Sequence, residues 1–157
     1  MSESLRIREV GPDDWPHVRD LRLAMLAETS WSFGGGDGAV RALDEARWRE
    51  RQGTSTAWHA VSDVGVVGSL SVTPDTRTVA ELHSLWVARA WRRRGVATRL
   101  LEVAIQCWRE RDGGGLMLWV DVTSEPAKAL YERHGFRASA EIRCEAGLAQ
   151  ERYVQTM

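Results

Sequence analysis

At 157 residues, 43% hydrophobic and 27% charged, the chain has the length and balance of one globular domain with a real core. A net charge of -1 leaves no overall field to draw it to nucleic acid or to a membrane surface. No run reaches the ~18 apolar residues of a membrane span, and Met1 to Arg6 lack the apolar stretch of a secretory signal. Cys107 and Cys144 are too few for a disulfide framework and have no metal-ligand spacing. The expectation is a cytoplasmic protein with two reduced, partly buried thiols and no metal.

Leu5 to Val10 alternates apolar and polar residues and predicts a half-buried strand. Gly11-Pro12-Asp13-Asp14 stops it, and either aspartate can cap the next helix. That helix carries Val18, Leu21 and Met25 on one stripe with Leu26 beside it, and ends near Glu28. Thr29 to Val40 holds Trp31, Phe33 and a cluster of glycines over Gly34 to Gly38, which reads as a mobile loop. Ala42 to Arg51 predicts a short helix with Leu43, Ala46 and Trp48 inward. Strands over Thr56–Ser62 and Val64–Val72 meet at a tight turn at Asp63, Thr73-Pro74-Asp75-Thr76 makes another turn, and Val79–Val87 is a further strand.

Val96 to Arg111 is the clearest helix, with Val96, Leu100, Leu101, Ala104, Ile105 and Trp108 on one face. Gly113-Gly114-Gly115 ends it. Leu116–Val120 is apolar throughout, as in a strand covered on both faces. Pro126 to His134 forms a last helix stopped by Gly135, and two strands follow near Phe136–Arg143 and Gln150–Thr156. Three antiparallel-type strands followed by a strand–helix–strand crossover predict a mixed sheet with helices on both faces. Among the eight tryptophans, Trp86, Trp108 and Trp119 read as core packing. His17, His59 and His134 read as surface or capping residues.

One segment carries chemistry by itself. Between Val87 and Thr98 a strand ends and a long helix begins, with Arg92-Arg93-Arg94-Gly95-Val96-Ala97 between them. The first helical turn presents N–H groups without internal partners and the positive end of the helix dipole, a combination that takes phosphate. Gly95 and Ala97 remove bulk, and three arginines add charge. No Gly-Lys-Ser/Thr follows, so this is not a P-loop, and the glycine spacing is not that of a dinucleotide fingerprint. Alone, the segment reads equally as a solvated arginine turn.

Together, Glu81-Leu82-His83-Ser84-Leu85-Trp86-Val87, the loop Arg92-x-x-Gly95-x-Ala97 and the segment Ala127-x-x-Leu130-Tyr131-Glu132-x-x-Gly135-Phe136 resemble the GNAT superfamily of N-acetyltransferases, over essentially the whole chain. The resemblance implies an α/β (α+β) fold: a mixed, mostly antiparallel sheet of six to seven strands, with helices on both faces and a splay between two parallel central strands. It implies acetyl-CoA as acyl donor and a single acyltransferase domain spanning the chain. The amides of Arg93 to Thr98, with Arg92, would hold the CoA pyrophosphate through Arg94, Gly95, Val96 and Ala97, and Leu85, Trp86 and Val87 would meet the pantetheine arm as if it were an added strand. Ser124 stands where the family often has asparagine beside the cofactor, with Ala127 near it, and Ser124 can also simply cap the helix.

By the same resemblance Tyr131 would protonate the leaving thiolate, and Glu81 would take the amine proton through water. Positions 81, 83, 85 and 87 share one face of a regular strand, so His83 is the other candidate base and an acceptor contact. Trp31 and Phe33 would cover the acceptor. That acceptor reads as a small-molecule primary amine attacking directly in a ternary complex; a protein N-terminus or lysine, and a non-catalytic acyl-CoA-binding module, are the alternatives. Homodimers are common in the family.

Overall fold

The computed structural model describes residues 4–29, 44–53, 55–111, 114–145 and 147–155. β1 (Arg6–Glu9) leads through a 3-10 turn at Pro12–Asp14 into α1 (Trp15–Thr29). Of the two candidate aspartates, Asp14 makes the junction: its carboxylate accepts the Gly11 N–H at 2.7 Å and Arg8 at 2.8 Å. The Arg8 hydrogen bond, then the Gly11 amide, holds its carboxyl below the usual carboxylate range. α2 (Glu45–Gly53) follows. In it Trp48 is buried, whereas Ala46, expected inward, is exposed; a nine-residue helix here offers the core one large side chain. Leu43 and the segment 30–43 lie outside the described residues.

The chain continues through β2 (Thr56–Ser62), β3 (Gly65–Pro74), β4 (Val79–Val87), a 3-10 turn at Arg89–Trp91, α3 (Val96–Glu110), β5 (Gly115–Asp121), α4 (Glu125–Arg133), β6 (Arg137–Glu145) and β7 (Leu148–Gln155). β3 runs through Thr73 and Pro74, which the sequence assigns to a turn. The reversal falls later because Thr76 Oγ1 accepts the N–H groups of Thr78 and Val79 at 3.3 and 3.1 Å. Among the described residues the strands form one sheet in the order β1-β2-β3-β4-β5-β7-β6, antiparallel throughout except for β4 beside β5.

The two faces of the sheet differ in kind. Trp58, Ala60, Leu70, Val72, Ala80 and Leu82 pack with Val96, Leu100, Leu101, Ala104 and Ile105 of α3, and Ala127, Leu130 and Tyr131 of α4 lean on the same cluster. The alternate residues Ala57, His59, Ser69, Ser71 and His83 face α1 and α2 instead, across a cavity. A dry core thus lies under α3, and a polar cavity lies under α1. No helix among the described residues is long and apolar enough to cross a membrane.

Candidate active site

β4 and β5 are paired only from Val79–Gly115 to Glu81–Met117. Beyond Glu81 they part, so the second half of β4 has a bonded neighbour on the β3 side alone. The Ala88 N–H donates to Val67 O at 2.8 Å, and bonded pairs alternate along an antiparallel ladder. Trp86 therefore pairs with Ser69, and Val87 turns its backbone groups toward the opening. Arg92 Nε takes the Val87 carbonyl at 2.9 Å.

A bulge sits in the same stretch. Ser69 and Ser71 of β3 oppose Trp86 and His83 of β4, so one residue on β3 faces two on β4. Ser84 adopts φ 55°, a strained conformation for a residue with a side chain. The extra residue breaks the alternation, and this corrects the regular-strand expectation for positions 81 to 87. Glu81 and His83 share the cavity face, while Leu85 and Val87 pack against the core cluster.

The loop before α3 is built from two left-handed residues, Arg93 (φ 62°) and Gly95 (φ 79°). Glycine suits the second because it caps the helix in that conformation, where a Cβ is penalised. The first ladder bond of α3 is Arg99 N–H to Gly95 O at 3.1 Å, so the amides of Val96, Ala97 and Thr98 begin the helix with no acceptor behind them. Arg92, Arg93 and Arg94 are exposed around them, and Arg94 stacks on Trp91 at 5.1 Å. The geometry is that of an anion cradle beside the opening of β4.

A cavity of about 450 Å³ brings Glu81 and Tyr131 together, with Arg22, Thr73, His83 and Arg143 also in its wall. Burial raises the Glu81 carboxyl above its ordinary value, opposed by Arg143 and reinforced by Asp75 and Glu145. Burial pushes the Tyr131 phenol up to about 12, so it keeps its proton throughout the neutral range. The ring of Tyr131 meets Phe136 edge-on at 6.0 Å, which fixes its direction.

A second cavity of about 180 Å³ lies between α1, α2 and the sheet, and shares Arg22, His83 and Ser84 with the first. A hydrogen-bonded chain runs along the shared wall. Arg22 donates to Ser84 Oγ at 3.3 Å, Ser84 Oγ lies 2.9 Å from His83 Nδ1, His83 Nε2 lies 2.7 Å from Thr73 Oγ1, and Thr73 Oγ1 lies 2.6 Å from Ser55 Oγ. Arginine only donates, so Ser84 Oγ accepts from Arg22; an arrangement in which each hydroxyl passes its proton onward, with His83 accepting at Nδ1 and donating at Nε2, satisfies every member. A neutral His83 suits that chain, and burial, with Arg22 nearby, holds its pKa below the usual histidine range.

His59 is not the surface residue its sequence context predicts. It is 2% exposed, lines the smaller cavity, and its Nδ1 is buried without a hydrogen-bond partner. Burial, then Arg8, pushes its pKa down to about 4. His17 is exposed, and His134 sits at the end of α4 within 2.9 Å of Leu130 O. Sequence reasoning also passed over Arg22, Thr73 and Arg143. Arg22 had a signal: it falls four residues after Val18 on an apolar helix stripe, where a lone arginine is out of place.

The remaining expected site residues are placed as follows. Ser124 stands at the N-cap of α4, but its side chain makes no capping hydrogen bond, so the cap is positional only. Ala127 packs on the core beside Tyr131. Trp31 and Phe33 lie outside the described residues. Trp108 packs against the core as expected, whereas Trp119 lines the larger cavity under Arg143, with 4.4 Å between guanidinium and ring. Trp86 is half-buried, with its indole N–H inaccessible and unpartnered. Both thiols are free, Cys107 half-buried and Cys144 exposed rather than partly buried, because β6 is an edge strand.

Comparison with known proteins agrees with this geometry. Residues 22–136 match the acetyltransferase (GNAT) family. The chain is 34% identical over 144 residues to an uncharacterised N-acetyltransferase, YafP, of Escherichia coli K12, covering 90% of this chain and 87% of that protein. Among solved structures, a GNAT-family acetyltransferase from Streptococcus pneumoniae superposes with a TM-score of 0.80 at 22% identity, covering 98% of this chain and 99% of that one. Arabidopsis thaliana NAA60 in complex with acetyl-CoA superposes with a TM-score of 0.72 at 15% identity, covering 98% and 99%. The chain belongs to the GNAT family of acetyltransferases.

Proposed function

We propose that the protein moves an acetyl group from acetyl-CoA to the primary amine of a small molecule, by direct attack while both substrates are bound. The observation that carries this reading is the meeting of Glu81 and Tyr131 on one cavity, at the point where β4 leaves β5. Acetyl-CoA supplies an activated thioester; everything else is done by the chain. The amides of Val96, Ala97 and Thr98, with Arg92 to Arg94, hold the pyrophosphate at the start of α3. The edge of β4 past Glu81, which β5 leaves open, receives the pantetheine arm beside Leu85 to Val87, with the Val87 carbonyl held by Arg92.

Glu81, made more basic by burial, takes the ammonium proton of the acceptor, directly or through water. As the amine nitrogen bonds the thioester carbon, the carbon–sulfur bond breaks, the Tyr131 hydroxyl donates to the departing sulfur, and the surplus proton on the nitrogen restores that hydroxyl. A phenol raised to about 12 is always protonated for that task. The small second cavity, about 180 Å³ between α1, α2 and the sheet, has the volume of a small acceptor and supports one over a protein segment. Holding both partners in one cleft supplies much of the acceleration.

The test is an acceptor screen that follows free CoA thiol, paired with heating curves in acetyl-CoA. The account expects a saturable stabilisation by acetyl-CoA and amine-dependent thiol release. Absence of any stabilisation at millimolar acetyl-CoA contradicts the donor, and activity on peptide arrays with none on small amines contradicts the acceptor.

A further inference from the structure

We infer, on the basis of the acetyl-transfer reading above, that the acceptor amine also carries a carboxylate within a few bonds, as an amino acid does, and that Arg143 selects it. Arg143 comes from β6 and lines the same cavity as Glu81 and Tyr131. Two contacts fix it there. Its guanidinium lies 4.4 Å over the Trp119 ring, and its Nε donates to Gln150 Oε1 at 2.7 Å. Neither contact neutralises its charge, and Arg143 makes no ion pair among the described residues. A half-buried guanidinium, held by a stack and one neutral acceptor, faces a cavity whose wall carries two guanidiniums, Arg22 and Arg143, and two carboxylates, Glu81 and Glu145; with Glu81 occupied by the acceptor's ammonium, the positive side of that wall is in excess.

Position sets the chemistry of the complement. Arg143 is near enough to Glu81 to oppose the rise in its carboxyl. Both side chains line one cavity, so an amine delivered to Glu81 has Arg143 in the same enclosure as its substituents. A carboxylate on an adjacent carbon meets the guanidinium in a charge-assisted pair, while the ammonium faces Glu81. The other wall agrees: Arg22 also lines this cavity, and the smaller cavity beyond it contains no carboxylate among its described lining residues. That smaller cavity offers Val18, Leu21, Met25 and Trp48 together with serine and neutral histidine, a surface for a side chain of mixed or apolar character and a poor one for a second cation. The step is unchanged: one ammonium proton leaves toward Glu81, the amine nitrogen bonds the acetyl carbon, the carbon–sulfur bond breaks, the thiolate gains the Tyr131 proton, and the nitrogen's second surplus proton restores the Tyr131 hydroxyl. The product is an N-acetyl amino acid.

The experiment uses matched acceptors, each an amino acid, its carboxamide and its decarboxylated amine, with thiol release measured for the parent and for Arg143→Gln and Arg143→Lys. The parent is expected to favour the carboxylate form by about 10- to 100-fold in kcat/KM, the scale of one charge-assisted pair. Arg143→Gln should collapse that ratio mainly through KM, and Arg143→Lys should keep part of it. Equal use of all three forms by the parent, a preference for the decarboxylated amine, or no turnover of any of them by protein that acetyl-CoA stabilises, each overturns the inference. A parent that acetyl-CoA does not stabilise overturns the acetyl-transfer reading itself, which keeps the two failures distinct.

Discussion

Glu81 and Tyr131 are driven the same way by burial, and in the proposed reaction the shift would serve opposite ends. A carboxyl that desolvation makes more basic is a better proton acceptor; a phenol that desolvation makes less acidic is never found ionised when the thiolate needs it. Tyr131→Phe should lower kcat by about 100-fold, the usual range for one positioned acid, with acetyl-CoA stabilisation retained; an unchanged kcat removes Tyr131 from the chemistry. Glu81→Gln should depress kcat/KM most at low pH and recover as pH approaches the amine's own pKa. In the parent the active form of Glu81 is the carboxylate. Activity is therefore full above its raised pKa and lost as pH falls through it. The groups that set that limb are burial first, then Arg143, Asp75 and Glu145. An acid limb that does not change in Glu81→Gln removes it as the base. That Tyr131 and Glu81 would meet on one cavity was foreshadowed by the spaced motifs that hold them. Arg143 and His59 were not, since nothing local distinguishes an arginine near a strand end, or a histidine between Trp58 and Ala60, from a solvent-facing one.

At the scale of elements, the site depends on places where regular structure stops. β4 read cleanly as a strand over Val79–Val87, but its two faces could not be assigned past Ser84, because the bulge is a pairing event between β3 and β4 and leaves no mark in β4 alone. The start of α3 was legible in the Arg92–Ala97 segment, where composition and position agree. The end of the crossover was legible only as a glycine run. Gly114 has φ 82°, and a Cβ there would stand 2.5 Å from Thr78 O, against the parallel pairing of β4 with β5. Gly114→Ala should cost about 2 kcal/mol or more, combining the left-handed penalty with that clash. It should also weaken acetyl-CoA binding by disturbing where β4 and β5 part. A denaturation midpoint equal to the parent's contradicts that placement.

For the whole molecule, order of elements, sheet composition and the helical core face followed from periodicity, and the polar character of the α1-facing side did not. Serines and histidines alternating with Trp58, Leu70 and Leu82 look like a solvated strand face until α1 and α2 are placed over them. That arrangement has a cost that can be measured. His59 is held down to about 4 against an ordinary 6.5. Between those values the unfolded chain binds a proton that the folded chain refuses, so stability is full above pH 6.5 and falls as pH drops toward 4, by roughly 3 kcal/mol from this residue. His59→Asn should make the decline of Tm over that window shallower, and a decline as steep as the parent's contradicts a neutral, buried His59.

The central claim is that amine acetylation occurs in the cavity shared by Glu81 and Tyr131. Thiol release with a responsive amine, measured for the parent and for the Glu81→Gln/Tyr131→Phe double variant at equal acetyl-CoA saturation, tests it most directly. The account predicts amine-dependent release in the parent and a loss of about 100-fold or more in the double variant. Amine-dependent release that survives undiminished in the double variant contradicts it.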